Sequence, residues 1–169
     1  ASIKRVVIAC LDPDKRTNGK AVKYLLEKKI TVSLGCEEFK AMELIQGFAK
    51  RLIFKRPYIK SKIASSLDSK ISLSNGISKW ITGINTRKFI HLYRLRSDGI
   101  LTGVNTVNED NPTLNCRIKG LKKYSPHVFI LDSKLKINIE SKILNRKNIN
   151  IFKNIFLNKR KEKILKNKG

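Results

Sequence analysis

Four short apolar runs, separated by segments of helical period, restrict this chain more than any other feature. Lys4-Arg5-Val6-Val7-Ile8-Ala9-Cys10, Ile30-Thr31-Val32-Ser33-Leu34, Gly99-Ile100-Leu101-Thr102-Gly103 and His127-Val128-Phe129-Ile130-Leu131 are rich in β-branched residues. Each is too short for a buried helix and suits a buried strand. The first ends at Asp12-Pro13-Asp14, the second at Gly35 and the fourth at Asp132-Ser133, residues that favour turns. Between the runs, Gly19 to Lys29 puts Val22, Leu25 and Leu26 on one helical face. From Glu37, apolar residues recur at helical spacing through Phe39, Met42, Ile45, Ala49 and Leu52, which predicts one long helix. Asn85 to Arg96 predicts another, carrying Phe89, Leu92, Tyr93 and Leu95. Strands that alternate with helices are joined by crossovers, so the expected fold is α/β with a mostly parallel sheet. Ile63, Ile100, Leu101, Phe129 and Ile130 are expected inside it.

Arg56-Pro57 interrupts the pattern, because the residue before proline is pushed out of helical geometry, and it divides the chain into 1–55 and 56–169. Beyond it, Tyr58 to Ala64 alternates apolar and polar residues and predicts a strand, and a polar stretch turns at Asn75-Gly76. From Ser141 to Gly169 the only acidic residue is Glu162. Ile149, Ile151, Phe152, Ile155 and Phe156 are enough for a strand or short helix, and the last ten residues read as frayed.

Lys and Arg number 37 against 13 Asp and Glu, a formal net charge of +24. Such a balance suits a polyanionic partner. The favoured explanation is instead compositional drift, since Lys, Asn and Ile crowd the unconstrained stretches, as in Lys166-Asn167-Lys168. Nucleic-acid surfaces interleave basic residues with stacking aromatics, whereas the aromatics here lie within apolar patterns, so no specific nucleic acid is expected. No apolar run approaches the roughly 20 residues of a membrane span, and no membrane partner is expected. Cys10, Cys36 and Cys116 are too far apart for a metal cluster and odd in number. They read as buried free thiols of a cytoplasmic protein, with no bound metal.

The chemistry-bearing region runs from Lys62 to Arg117. It contains Lys62-Ile-Ala-Ser-Ser-Leu-Asp68-Ser-Lys70, then Gly76-Ile-Ser78-Lys-Trp80-Ile-Thr82, then Arg94, then Gly103-Val-Asn-Thr106-Val-Asn-Glu-Asp110-Asn-Pro-Thr-Leu114-Asn-Cys-Arg117. In order and spacing these segments resemble the reductase half of the bifunctional riboflavin-biosynthesis deaminase–reductase family. Arg5-Val-Val-Ile-Ala, Leu11-Asp-Pro-Asp and Gly19-Lys20 resemble the end of its deaminase half. The resemblance implies a dihydrofolate-reductase-like sheet with flanking helices over 56–169, incomplete at its C-terminal end. It implies a small βαβα remnant of a cytidine-deaminase-like domain over 1–55.

The implied activity is NADPH-dependent reduction of 5-amino-6-(5-phosphoribosylamino)uracil to the ribitylamino product. The implied substrate contacts are Ser78, Arg94, Leu114 and Arg117, and the implied cofactor contacts are Ala64, Trp80, Thr106, Asp110 and Ser133. Lys62 stands where the family places a lysine near the reaction centre. A phosphorylated substrate needs fixed cations, and arginine offers a planar fork that bonds phosphate bidentately. Each residue also has a plainer reading: Arg94 as a solvated helix cation, Trp80 as core, Asp110 as a turn residue, Lys62 as the wet side of a strand. His91 and His127 are far apart and carry no assigned role.

Three departures qualify the resemblance. The deaminase zinc signature, His-x-Glu followed by Pro-Cys-x-x-Cys, is missing. The family's Ser-Leu-Asp-Gly reads Ser66-Leu67-Asp68-Ser69, which is costly if that glycine needs positive φ. The family's Gly-rich C-terminal loop and substrate-contacting Glu are not found before Gly169, as expected of a split, decayed or fragmentary enzyme. Two further classes therefore stay open: a non-catalytic or degenerate partner of a deaminase chain, and a basic nucleic-acid-binding module. The expected partner is a phosphorylated pyrimidine substrate, with a separate deaminase chain and a second copy of this chain as further candidates.

Overall fold

The structure is a computed structural model that describes residues 3–78, 80–154 and 159–168. The chain divides into two compact units, Ala1–Ile63 and Ala64–Gly169.

In the first unit, β1 (Arg5–Ile8) pairs in parallel with β2 (Thr31–Leu34), Arg5 opposite Thr31 and Ile8 opposite Leu34. The crossover is α1 (Lys20–Glu27), which starts beyond Gly19 at φ 70°. The loop before it is tied by Asp12, whose carboxylate accepts the Asp14 amide at 2.9 Å and the Thr17 hydroxyl at 2.7 Å. Arg16 pairs with Asp14 at 2.6 Å and, chiefly through that hydrogen bond, lowers the Asp14 pKa to about 2. The single long helix expected from Glu37 is two helices, α2 (Glu38–Leu44) and α3 (Gln46–Phe54). The break is at Ile45 (φ −103°, ψ 10°), beside Gly47, and glycine is a poor helix former. Of the described residues in this unit only Ala49 is buried.

Tyr58 to Ala64 is not a strand, and Ile63 is 73% exposed rather than internal. Alternation predicts a strand only where a sheet edge is there to pair with it. No described strand pairs with this segment.

The second unit opens with α4 (Ile84–Leu95), followed by β3 (Gly99–Gly103), α5 (Val104–Asp110), β4 (His127–Leu131), β5 (Ile149–Phe152) and α6 (Lys159–Lys168). Short 3-10 turns sit at Lys122–Tyr124 and Lys142–Asn145. The sheet is parallel, in the order β3-β4-β5, so the expected α/β class and parallel sense hold. Its register aligns Ile100, Val128 and Ile149, and next Thr102, Ile130 and Ile151. These rows face a core of Val107, Val128, Ile130, Ile137, Ile143 and Leu144, joined by Val104, Leu114 and Leu165.

Among the described residues of this unit, the buried core lies on that one face. Leu101 belongs to the other row, with Phe129, and is 64% exposed, contrary to the expectation that all the apolar strand residues lie inside. An apolar run marks a strand but cannot say whether one face or both find a partner. Gly99 is required by the same face, since a Cβ there would come within 2.5 Å of the Phe129 ring. Cys116 is buried as expected, but Cys10 is only half-buried and Cys36 is exposed.

The C-terminal residues, expected to fray, form α6. Leu165 packs on the core, and Glu162 pairs with Lys153 at 2.9 Å and with Lys166 one turn on at 3.0 Å. Lys168 reaches back to the Ile139 carbonyl at 2.8 Å and Glu140 at 3.0 Å. The expected strand or short helix is β5, while Ile155 and Phe156 lie outside the described residues.

The two faces give an opposed prediction. Ile130→Ala should cost about 2–5 kcal/mol in chemical denaturation because it leaves a cavity. Leu101→Ser, on the open face, should change stability by no more than about 0.5 kcal/mol. Equal losses would show that the open face is packed in solution.

Candidate functional site

Two half-buried arginines of the second unit, Arg94 and Arg146, bond to one loop, 113–117, which packs beside α4. Arg94 lies in the last turn of α4, where a cation suits the helix dipole, and its Nη1 donates to the Asn115 carbonyl at 3.2 Å. Arg117 is exposed, and its Nη2 donates to the Thr113 hydroxyl at 3.4 Å. Burial lowers the Arg94 pKa from its ordinary value, and the nearby positive charge of Arg117 lowers it further. Among the described residues, no ion pair involves either of them. Two cations bonded to one loop, with no ion-pair partner among the described residues, suit an anionic ligand.

The loop is fixed by residues that the sequence reading left without a role. Arg146 donates to the Thr113 carbonyl at 3.1 Å and to the Pro126 carbonyl at 2.6 Å, clamping the loop to the start of β4. The Cys116 amide donates to the Ser125 hydroxyl at 2.9 Å. His91, one turn before Arg94 in α4, accepts the Arg117 amide on Nδ1 at 3.3 Å. An i, i+3 pairing of His91 with Arg94 was visible in the sequence, but nothing in it indicated that the same ring would meet Arg117.

Leu114 sits between these groups at φ 47°, left-handed geometry that a bulky side chain adopts only under constraint. Its side chain packs on the core. Asn111 is also left-handed, at φ 43°, and its side-chain Oδ1 accepts the Lys142 amide at 2.8 Å. Asn108 accepts the Asn138 amide at 3.0 Å. These two asparagines join the end of α5 to residues 138–142.

Trp80 is 73% exposed, so the plain reading of it as core does not hold. The Arg87 guanidinium lies over its ring, 4.2 Å from the centroid, and is itself held by the Thr82 carbonyl at 2.6 Å. Ser78 is exposed in the preceding loop, and Thr106 and Asp110 are exposed on α5, of which Asp110 is the last residue. Ser133 is exposed just after β4, and its carbonyl accepts the Asn154 amide at 3.1 Å. Beside it, Asp132 is 1% exposed and its two carboxylate oxygens accept the amides of Lys136 and Ile137 at 2.7 and 2.8 Å. Ala64 is half-buried at the start of the second unit. Lys62 is exposed at the end of the first. Of the residues singled out from sequence, Arg94, Leu114 and Arg117 are thus brought to one loop–helix junction. Among the described residues no ion pair or hydrogen bond links Asp110 to them.

Residues 57–167 match the family described as the RibD C-terminal domain. The riboflavin biosynthesis protein RibD of Aquifex aeolicus is 41% identical over 145 residues, which are 86% of this chain and 40% of that protein. Acinetobacter baumannii RibD, in a solved structure, superposes with a TM-score of 0.78 at 34% identity, covering 98% of this chain and 46% of that one. A solved structure described as a diaminohydroxyphosphoribosylaminopyrimidine deaminase/5-amino-6-(5-phosphoribosylamino)uracil reductase, from Thermotoga maritima, superposes with a TM-score of 0.76 at 34% identity. It is matched over 89% of this chain and 42% of its own length. The chain thus spans less than half the length of these relatives.

Ser69 adopts φ 63° in a turn closed by its amide on the Ser66 carbonyl at 3.0 Å. That is the left-handed geometry in which a glycine is favoured. Ser69→Gly should therefore stabilise the fold by about 1 kcal/mol in chemical denaturation. A loss of stability would mean that the serine side chain contributes more than the strain costs.

Proposed function

Because the chain belongs to the RibD C-terminal domain family, we propose that it contributes the reductase step of riboflavin biosynthesis, NADPH-dependent reduction of 5-amino-6-(5-phosphoribosylamino)uracil. The observation that carries the proposal is the pair Arg94 and Arg117, bonded to Asn115 and Thr113 of one loop and with no ion-pair partner among the described residues. The substrate phosphate is the group whose charge and geometry that pair matches. Ser78 and Leu114 are assigned to the same ligand.

The donor set of the second unit fits a pyridine nucleotide. Trp80 offers an exposed ring with a cation already stacked on it, and Thr106 and Ser133 are exposed polar side chains. With Asp110 and Ala64 these residues would hold NADPH, which when bound supplies the hydride. Reduction at C1′ of the ribosyl group breaks the C1′–O4′ bond, and O4′ leaves as a hydroxyl after gaining a proton. Lys62 is assigned to polarise that oxygen, and the arginine pair fixes the phosphate end of the sugar so that C1′ is held in place.

Fluorescence titration with NADPH separates this reading from that of a non-catalytic partner of a deaminase chain, which would not bind it. For the substrate, a hydrogen bond to a charged group contributes roughly 1.5–3 kcal/mol. Arg117→Ala should therefore weaken substrate binding by about 10- to 100-fold, measured by isothermal titration calorimetry on the full chain. Arg117→Lys should recover only part, because the planar fork is lost. Unchanged affinity in Arg117→Ala would remove the arginine pair from the site.

A further inference from the structure

We propose that His91 is the positioning residue of the anion site, its neutral ring holding the Arg117 backbone so that Arg117 and Arg94 point at one ligand. The inference rests on the reading of the two arginines as phosphate ligands, and adds a residue that touches neither phosphate nor cofactor.

The geometry supports it on both sides of the helix–loop junction. The Arg117 amide donates to His91 Nδ1 at 3.3 Å, so Nδ1 must carry a lone pair. The His91 carbonyl, in turn, accepts the Cys116 thiol at 3.8 Å. One residue of α4 therefore contacts two consecutive residues of the loop, and Arg94 one turn later contacts a third, Asn115. Cys116 is fully buried, which anchors the loop there. The exposed Arg117 that follows has its backbone direction set at the histidine.

The charged groups facing the ring are Arg94 from its own helix and Arg117 from the loop. Burial first, and then these two cations, lower the His91 pKa from its ordinary 6.5, while an interaction with the Asn115 backbone opposes them. The ring is accordingly the neutral acceptor at neutral pH. The sign follows from linkage: the interaction is complete above 6.5 and is lost as pH falls through the lowered folded-state value. Protonation would replace the acceptor by a donor facing an N–H and add a third positive charge to the cluster.

The test uses the full chain with ribose 5-phosphate as probe. His91→Leu removes the acceptor, and His91→Asn restores a side-chain oxygen at a similar distance from the backbone. Affinity should fall about tenfold in His91→Leu and stay within about threefold of the parent in His91→Asn. His91→Leu combined with Arg117→Ala should bind no more weakly than Arg117→Ala alone, since both remove the same interaction. In 15N-resolved spectra the Arg117 amide of the parent should titrate with the His91 ring below pH 6.5 and lose that titration in both variants. Unchanged affinity in His91→Leu with a binding-competent parent overturns the positioning role alone, as does strict additivity with Arg117→Ala. A parent that fails to bind ribose 5-phosphate, although the Arg117 amide still follows His91, overturns the anion-site reading and the role of His91 with it. Should His91→Leu fail to fold, His91→Asn decides: weak binding with an intact fold overturns the proposal.

Discussion

β4 has a strand on either side, and the second unit is arranged around that fact. Its central position forces Val128 and Ile130 to full burial on one face, and everything that packs there must return to the same place. The chain does so at once, because Asp132 follows the strand. Its buried carboxylate takes two successive amides, Lys136 and Ile137, and its own amide is paired to Phe152 of β5 at 2.9 Å. A buried carboxylate is tolerated only when such hydrogen bonds replace water. Here they fold residues 133–137 back under the sheet and deliver Ile137, then Ile143 and Leu144, into the core. α5 enters the same core through Val107, so the end of that helix and the loop behind it are fixed by the packing beneath β4.

The strands and helices that were legible in the sequence are those whose apolar pattern is satisfied within the chain. β3 and β4 coincide with their apolar runs because each lies in a ladder, and α4 coincides with its helical period. Tyr58 to Ala64 has an equally good alternation and forms no strand, since a pattern of side chains says nothing about the neighbour that must supply the hydrogen bonds. The converse holds at the C-terminus. Residues 159–168 have almost no apolar content, yet α6 forms because Glu162 is flanked by lysines at the right distances and Leu165 reaches the core. Composition predicted fraying there, and the packing of Leu165 on the core together with the Glu162 pairs to Lys153 and Lys166 outweighs it.

The site was legible in another way. The candidate residues show no periodicity and share no local motif, and they were singled out through order and spacing along a family pattern. What that pattern could not supply is the packing that orients them. Asn108 and Asn111 hold the segment after β4 to α5, Arg146 clamps 113 to 126, and His91 meets Arg117 across 26 residues. Each contact joins residues far apart in sequence, and short polar side chains carry no pattern that announces a distant backbone partner.

The charge of +24 also takes on a clearer physical meaning when sorted by burial and partner. Arg87, Arg94 and Arg146 are each part-buried and each donates to a backbone carbonyl of Thr82, Asn115 or Thr113. A guanidinium can leave water in this way because its charge is spread over a planar fork of donors and is weakly hydrated, whereas an ammonium is a compact, strongly hydrated charge. Most of the lysines remain exposed, where an added charge costs little and contributes little. Compositional drift is therefore free to accumulate lysine on the surface without touching the arginines that are bonded inside. A lysine replacing Arg94 would retain the charge but forfeit the fork, and the loop that presents Arg117 would lose one of its ties to α4. The balance of basic residues thus separates into a tolerated surface excess and a small structural set. Arg94, the part-buried member of the proposed anion site, belongs to the second group, because its tie to Asn115 depends on arginine in particular rather than on positive charge in general.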